Sequence, residues 1–555
     1  MTRILLSVLV LLLVAVWTAP APAAPAREHA PAKRPAPLPR IPQLVRALPA
    51  LTPTDVPSRG TAVAARSTFS PNDDGVNDLL HVSALGRPGR SLELRVWRRF
   101  KASSLVRTVG PVRIRRGGSA RLAWDGRDSA GQPVADGSYV VRLCPGGGVG
   151  ACFGPPRSDA RDIVTHVRRL SAGIATAGSF APGERIPLVI GSDTRRLCAA
   201  VLPDDAAATD APPFGEGCAK PARLAPHVPA MLAPGMWRLR IRDNAGSVRM
   251  LPLVVRAPAS LDAPAPGTVL VVAPYLTWRA YDYVDADRNG AVDSWYSSWR
   301  NNTVPLTGAY EGWPDGAEKD HRYARTFQRW FSGTPGRNAQ FVTDVELARM
   351  SVASLRAYRA VLFFGHEEYY EPVLYDNLMA YLHSGGRIAT LSANSFFRQV
   401  SVDPVTNKVT LLAHVARDAQ RSDYAIVGVG FAACCFHVAT HYQLTNAVQE
   451  TPWLFAGTGL GPGDELAAEV GGEIDDVDAA LTPAGTRVVA VSLASDIGTG
   501  YRAAMAWTPV PGGGEVFAAG NMALLSSLSS ARLTPAERAT VSRMLDNLWA
   551  HLASD

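Results

Sequence analysis

The chain has 555 residues, a formal net charge of +7 and a sequence pI near 9.1, yet only 19% of it is charged. That length exceeds what one core supports, so about three domains are expected. The excess charge comes largely from Arg scattered through the first 120 residues, without interleaved aromatics. This argues against a nucleic-acid-binding protein and reads as a basic surface favouring an anionic cell-surface polymer or membrane.

Arg3 precedes an apolar stretch from Ile4 to Trp17, followed by small residues ending in APAAPA. That order is a secretory signal peptide over residues 1–26, cut after Ala24 or Ala26. No later stretch is long and apolar enough to span a bilayer, so a secreted or cell-surface-associated bacterial protein without a transmembrane segment is expected. Six cysteines suit an oxidising compartment. Cys144 and Cys152 flank PGGGVGA and can staple a loop, and Cys198 and Cys218 bracket a second loop. Cys434 and Cys435 are adjacent in an apolar FAACCF context that favours two buried thiols over a vicinal disulfide.

Residues 27–62, rich in Pro, Ala and Arg without a hydrophobic period, read as a disordered or extended spacer. Over 63–157 the pattern becomes all-β: Leu92, Leu94 and Val96 alternate with polar residues, as do Leu122 and Trp124, and Tyr139–Leu143 is a further strand. Asn72, Asp74, Asn77 and Asp78 surround Gly75 and are read as a tight Asx turn, with Ca²⁺ as the alternative. Residues 158–257 read as a second β-sandwich, with two alternating strands around the turn Asp243-Asn244-Ala245-Gly246.

From residue 258 strands and helices alternate. Strands are expected over Thr268–Ala273, Gln340–Thr343, Ala360–Phe364, Arg387–Ser392, Arg487–Leu493 and Glu515–Ala519. Helices are expected over Val345–Tyr358 and Pro372–Ser384, and a last one opens on the cap Thr534, Pro535 and Glu537. Residues 258–555 therefore read as an α/β domain with a mainly parallel sheet.

The central stretch RAVLFFGHEEYY places His366, Glu367 and Glu368 directly after the apolar strand Ala360–Phe364. Parallel sheets carry their chemistry at that strand end, and an imidazole beside two carboxylates can hold a metal or move protons. The alternative is a polar loop capping the next helix, with Glu367 and Glu368 at its positive end. Upstream, DADRNGAVD offers Asp285, Asp287, Asn289 and Asp293 around Gly290, as in the first nine positions of a Ca²⁺ loop. Tyr296 stands at the twelfth position, where Glu is usual. His437 and His441 would share a face of a helix, and without a nearby carboxylate they read as structural. No G-x-S-x-G or cysteine elbow follows a strand, which argues against an α/β-hydrolase or a glutaminase.

The motifs carry two resemblances. FSPNDDGVNDLL (Phe69–Leu80) with WDGRDSAGQPVADGSYVVRL (Trp124–Leu143) resembles the immunoglobulin-like module of flagellar hook-capping proteins and of gliding-bacterial sorting domains. The second resemblance is carried by TWRAYD (Thr277–Asp282), FVTDVEL (Phe341–Leu347), GHEEYY and SGGRIATLSANSFFRQV (Ser384–Val400). It continues in WLFAGTGLGPGDEL (Trp453–Leu466), GGEIDDVD (Gly471–Asp478) and GEVFAAGNMALLSSL (Gly514–Leu528). Over residues 258–555 the chain resembles the large (beta) subunit of N,N-dimethylformamidase, whose fold is akin to class I glutamine amidotransferases. The resemblance implies two Ig-like β-sandwiches followed by an amidotransferase-like α/β domain. It also implies hydrolysis of a non-peptide C–N amide bond in a small amide substrate, at a mononuclear iron held by tyrosine oxygens and a carboxylate. By motif, Glu368 is the carboxylate ligand, His366 the neighbouring acid/base and Tyr281 the first tyrosine, with Tyr296 or Tyr323 as the second. Departures are Asp282 for the usual Asn, Tyr370 for the usual Trp, and no evident Arg-Pro-aromatic element after Tyr281. The competing expectation is a non-catalytic, Ca²⁺-stabilised surface binding or adhesion protein. None of these features encodes an oligomeric state.

Overall fold

The computed structural model describes residues 61–64, 68–71, 78–85, 88–98, 105–146, 163–192, 196–203, 213–244, 247–284, 293–295, 302–312, 319–412 and 421–554. The expected signal peptide, nearly all of the spacer, the Asn72, Asp74 and Asn77 turn, Cys152, Tyr296, and Asp285, Asp287 and Asn289 of the acidic loop lie outside these residues.

Within them the chain is β-rich and built from several sheets. Near the N-terminus a three-stranded and a five-stranded sheet enclose one core. Leu92, Leu94, Val96, Leu122 and Trp124, the apolar members of the alternating runs, all point into it. A four-stranded antiparallel sheet follows, with strands over Leu197–Pro203, Phe214–Ala219, Gly235–Asp243 and Val248–Val255. The Cys198–Cys218 disulfide joins its first two strands across the pair Cys198↔Cys218. Cys144 is also disulfide-bonded.

The C-terminal region is organised by one nine-stranded sheet. Its strands in chain order are β1 (Val269–Ala273), β2 (Ala339–Thr343), β3 (Ala360–Phe364), β4 (Arg387–Leu391), β5 (Gly430–Leu444), β6 (Glu465–Asp476), β7 (Arg487–Ser492), β8 (Ala503–Val510) and β9 (Gly514–Ala518). Their spatial order is β2-β1-β3-β4-β9-β8-β7-β5-β6. The pairs from β2 to β9 are parallel, and β1, β2 and β3 are buried along their whole length, as unbroken apolar runs in a parallel sheet require. The pairs from β9 to β6 are antiparallel. The sheet is therefore mixed, not mainly parallel. The physical reason is the long hairpin β5–β6, whose alternating runs form in place of further strand–helix units.

Helices α1 (Tyr275–Tyr281), α2 (Lys319–Ser332), α3 (Asp344–Leu347), α4 (Val352–Leu355), α5 (Pro372–Leu382) and α6 (Pro535–Ala553) connect or flank these strands. The helix expected over Val345–Tyr358 is two short ones, because Thr343 caps α3 with a capping box and the Ser351 hydroxyl starts α4 by accepting from the Ser354 amide. The last helix forms as its cap dictates: Thr534 and Glu537 bond reciprocally, and Val541, Met544, Leu545, Leu548 and Trp549 are buried. No helix among the described residues is long and apolar enough to cross a membrane.

One apolar cluster runs from Leu197, Leu239 and Leu253 of the four-stranded sheet to Val269, Phe341 and Leu362 of the nine-stranded one. Gly173 sits at another close approach, where an added Cβ would lie 1.6 Å from the Gly308 carbonyl oxygen. Around it Ala172 O accepts from the Tyr310 amide at 2.9 Å. Gly173→Ala is therefore expected to cost about 1–3 kcal/mol by overpacking, measured by chemical denaturation. The 308–312 segment would have to shift, and its Glu311 and Gly312 amides are the donors that hold the buried Asp282 carboxylate.

Candidate functional site

Parallel order brings the carboxyl ends of β1, β3 and β4 side by side, and each is followed by a segment that contributes to one cluster. After β3 the chain turns at Gly365, whose φ of 81° places it in the left-handed region that glycine tolerates. His366, Glu367 and Glu368 come next and are all buried. After β1 comes α1, with Thr277 and Tyr281 one turn apart on the same face. Thr277 Oγ1 accepts from the backbone amides of Glu368 (3.1 Å) and Tyr369 (3.4 Å). The same helix delivers the Tyr281 hydroxyl to Glu368 Oε2 at 3.1 Å. After β4, Asn394 and Phe396 take positive φ angles of 54° and 57°, a local strain that functional loops commonly hold. That loop is clamped by Phe396 N donating to Glu367 O (2.8 Å) and Phe397 N to Glu368 O (3.0 Å).

Four groups face one another at the centre. Glu368 accepts from Tyr281 on Oε2 and from Arg398 Nε on Oε1 at 2.9 Å. His366 Nε2 lies 3.6 Å from Glu368 Oε2 and 3.0 Å from Glu473 Oε2, and its ring is tilted against that of Tyr281 at 5.4 Å. Asn394 Nδ2 lies 3.5 Å from His366 Nε2. The arrangement thus joins an imidazole, two carboxylates and a phenol, a set able to bind a hard cation or relay a proton.

The carboxylates beneath do different work. Glu367 and Asp344 are fully buried, and burial first, then each other's proximity, holds Glu367 well above the carboxylate range. Asp344 is likewise held high by burial, and its Oδ2 accepts from the Leu276 amide at 2.9 Å, which seats α1. Helix α5 begins instead at Pro372 with Glu371 as its cap, so Glu367 and Glu368 turn inward and the helix-capping alternative does not hold. Asp282 forms a buried ion pair with Arg279 at 2.9 Å and accepts from the amides of Glu311 and Gly312. An Asp at this position is thereby compensated, though burial still pushes its carboxyl up to about 7.

Asp475 accepts from the Asn394 amide at 2.7 Å and so fixes the strained loop. Burial pushes its carboxyl up to about 8 from an ordinary 3.8, partly opposed by that hydrogen bond. A pKa raised in the folded state means the fold retains a proton that the unfolded chain has already released, so stability falls as pH rises from 3.8 toward about 8. Asp475→Asn keeps the acceptor oxygen and removes the titration. Its melting temperature is expected to vary less across that window, the difference in stability being at most about 1.4 kcal/mol per pH unit. Thermal unfolding followed by circular dichroism at several pH values checks this.

Of the expected site residues, the fold brings Tyr281, His366 and Glu368 together. Tyr323 is buried on α2, packs with Ala393 and Met522, and its hydroxyl stands 2.9 Å from where a Cβ on Gly472 would be, beside Glu473. Asp293 is described, and its amide donates to Val284 O at 2.7 Å. Glu473, Asn394, Asp475 and Arg398 do not stand out as site residues in the sequence, although all four lie in the motif stretches SGGRIATLSANSFFRQV and GGEIDDVD. Cys434 and Cys435 are disulfide-bonded to each other, not free thiols, and Cys435 is exposed at a register shift of β5 with φ 76°. His437 and His441 lie on a strand, not a helix, and His437 Nε2 has a carboxylate, Glu469 Oε2, at 2.8 Å across the hairpin.

Tyr281 Oη and Glu368 Oε2 are close enough to share one ion, and phenol and carboxylate oxygens suit a hard one. No trio of His, Cys, Asp or Glu among the described residues is grouped to hold a metal.

The family model for the N,N-dimethylformamidase beta subunit-like C-terminal region matches residues 202–538. No curated protein matches the chain significantly. Among solved structures, the "mmIFT52 N-terminal domain" is 12% identical over 42% of this chain and 90% of its own, with a TM-score of 0.26. The exo-beta-1,4-mannosidase Op5Man5 from Opitutaceae bacterium strain TAV5 is 13% identical over 50% of this chain, with a TM-score of 0.27. The GH42 beta-galactosidase Gan42B is 10% identical over 51% of this chain, with a TM-score of 0.27. The chain spans only 35% and 30% of those two enzymes, and none of these likenesses carries an argument about function.

Proposed function

The chain belongs to the N,N-dimethylformamidase beta subunit-like C-terminal family, and on that premise we propose that it hydrolyses a non-peptide C–N amide bond in a small amide. The observation that supports this reading most is the meeting of Tyr281, Glu368 and His366 at the buried ends of adjacent parallel strands. In this reading Glu368 and Tyr281 hold a hard metal ion, with Tyr323 as the further oxygen donor, and iron is the family's metal. When bound, such an ion polarises an amide carbonyl and acidifies water. Arg398 and Thr277 hold Glu368 in place through its carboxylate and backbone amide. His366 takes a proton from water and returns it to the leaving amine, with Glu473, 3.0 Å away, stabilising the imidazolium between those steps. Asn394 is placed to donate to an oxygen beside His366 or to fix its ring.

Export is part of the same reading. A signal peptide over 1–26 and the Cys198–Cys218 disulfide support it, since such bonds persist in oxidising compartments. The test is elemental analysis of protein purified from an exporting host, followed by amine release from a panel of formamides and other N-substituted amides. A transition metal near one equivalent and turnover of at least one amide are expected. Metal-free protein that stays inert after iron reconstitution would overturn the reading.

A further inference from the structure

Beside the centre, on two of the same elements, lies a groove that amide hydrolysis does not use. Helix α2 carries Tyr323 toward the centre and, three residues on, Thr326 in the groove. Strand β6 carries Glu473 at the centre and, four residues back, Glu469 in the groove. The groove comprises two cavities of about 360 and 250 Å³ that share Thr326 and Ser529, a size in the lower part of the range that small-molecule sites occupy.

Glu469 is its buried anchor. Its Oε2 lies 2.8 Å from His437 Nε2 and 3.4 Å from Arg532 Nη1, and its Oε1 accepts from the Ser530 hydroxyl. With both oxygens engaged, Glu469 orients its neighbours and is not left to bind a cation. The lining otherwise combines hydroxyls with Arg329, Arg532 and Arg538, beside the apolar Trp330, Leu528, Ala531 and Ala539. Three guanidiniums against one carboxylate give a local charge of 3 − 1 = +2 with His437 neutral. Arg329 is exposed and forms no ion pair among the described residues. Ser526, which also lines the groove, keeps a buried hydroxyl without a hydrogen-bond partner among them.

An apolar ligand would desolvate these polar groups without replacing their hydrogen bonds, and a cation would meet net repulsion. A ligand with one anionic group and several hydroxyls satisfies both demands. We propose that this groove binds an acidic sugar unit, with its anionic group drawn to the guanidiniums of the lining and its ring hydroxyls bonded to the serine and threonine hydroxyls. The unit can come from a free sugar acid or from an acidic polysaccharide of a cell surface. The site is independent of the hydrolase reading.

Calorimetric titration of the mature chain with glucuronate, with neutral glucose and with a glucuronate-containing oligosaccharide tests it. Saturable binding of glucuronate is expected, with glucose about tenfold or more weaker, the equivalent of one lost charge-assisted contact. Arg329→Ala and Arg532→Ala, both at exposed side chains, are each expected to weaken glucuronate binding about tenfold. Glu368→Gln is expected to leave it unchanged, which separates this site from the centre. Tighter binding of the oligosaccharide assigns the polymer as source, and equal binding assigns the free sugar. Equal affinity for glucose and glucuronate, unchanged binding in both arginine variants shown to be folded, or no saturable binding would overturn the proposal.

Discussion

Glu368→Ala is expected to lose nearly all bound transition metal and to reduce amide turnover to background. The substitution removes the oxygen that meets Tyr281 at 3.1 Å and the partner of Arg398 at 2.9 Å, both in a buried setting. It also strands a largely buried guanidinium, a change that costs about 3–5 kcal/mol when a buried pair loses one member. Glu368→Gln separates the two effects. It preserves volume and one acceptor for Arg398 but offers a neutral, weaker donor to a cation, so metal affinity is expected to fall with little change in melting temperature. Metal content by elemental analysis, beside melting curves, reads both quantities. Calcium alone, unchanged in both variants, would sink the hydrolase reading and leave the Ca²⁺-stabilised surface protein as the better account.

His366→Gln is expected to retain the metal and to lower turnover about 10²- to 10⁴-fold, the range by which positioned general acid–base groups act. Its ring touches Glu473 and Glu368 without taking the bond that Tyr281 makes, so the carboxylate and phenol stay in place without it. Glutamine there cannot accept and return a proton. The expected signature is a fall in kcat with KM nearly constant, while metal content stays at the wild-type level. A variant with normal kcat would remove His366 from the proposed chemistry, and one that loses metal in proportion to activity would make it a ligand.

Much of this centre is legible in the chain because it obeys local rules. The apolar run Ala360–Phe364 forms a buried parallel strand, and such a strand presents the residues just beyond it at the sheet edge. His366 and Glu368 therefore stand out from their position, and Tyr281 from its motif. Arg398, Asn394, Glu473 and Asp475 do not, because their roles depend on pairing across long separations. Glu473 and Asp475 reach the centre only through the register of β5 with β6, which shifts at Phe431/Ala433 and again at Cys434/Phe436. Those bulges leave no periodic mark in FAACCFHVATHYQL, and the same hairpin is why a mainly parallel sheet was the wrong expectation. By contrast, the cap at Thr534 is specified by neighbours three residues apart and forms as its sequence dictates.

The apolar cluster shared by the four-stranded and nine-stranded sheets has a consequence for how this protein can change. The sheet edge that bears the centre borrows part of its rigidity from side chains such as Leu239 and Leu253, far away in sequence. The two sheets share one apolar core, and a chain severed near residue 257 would present a greasy wall to water on both halves. Recombination cannot trade the chemistry-bearing region as a free cassette. It has to carry its β-sheet neighbour along, or evolve a new polar surface to replace it.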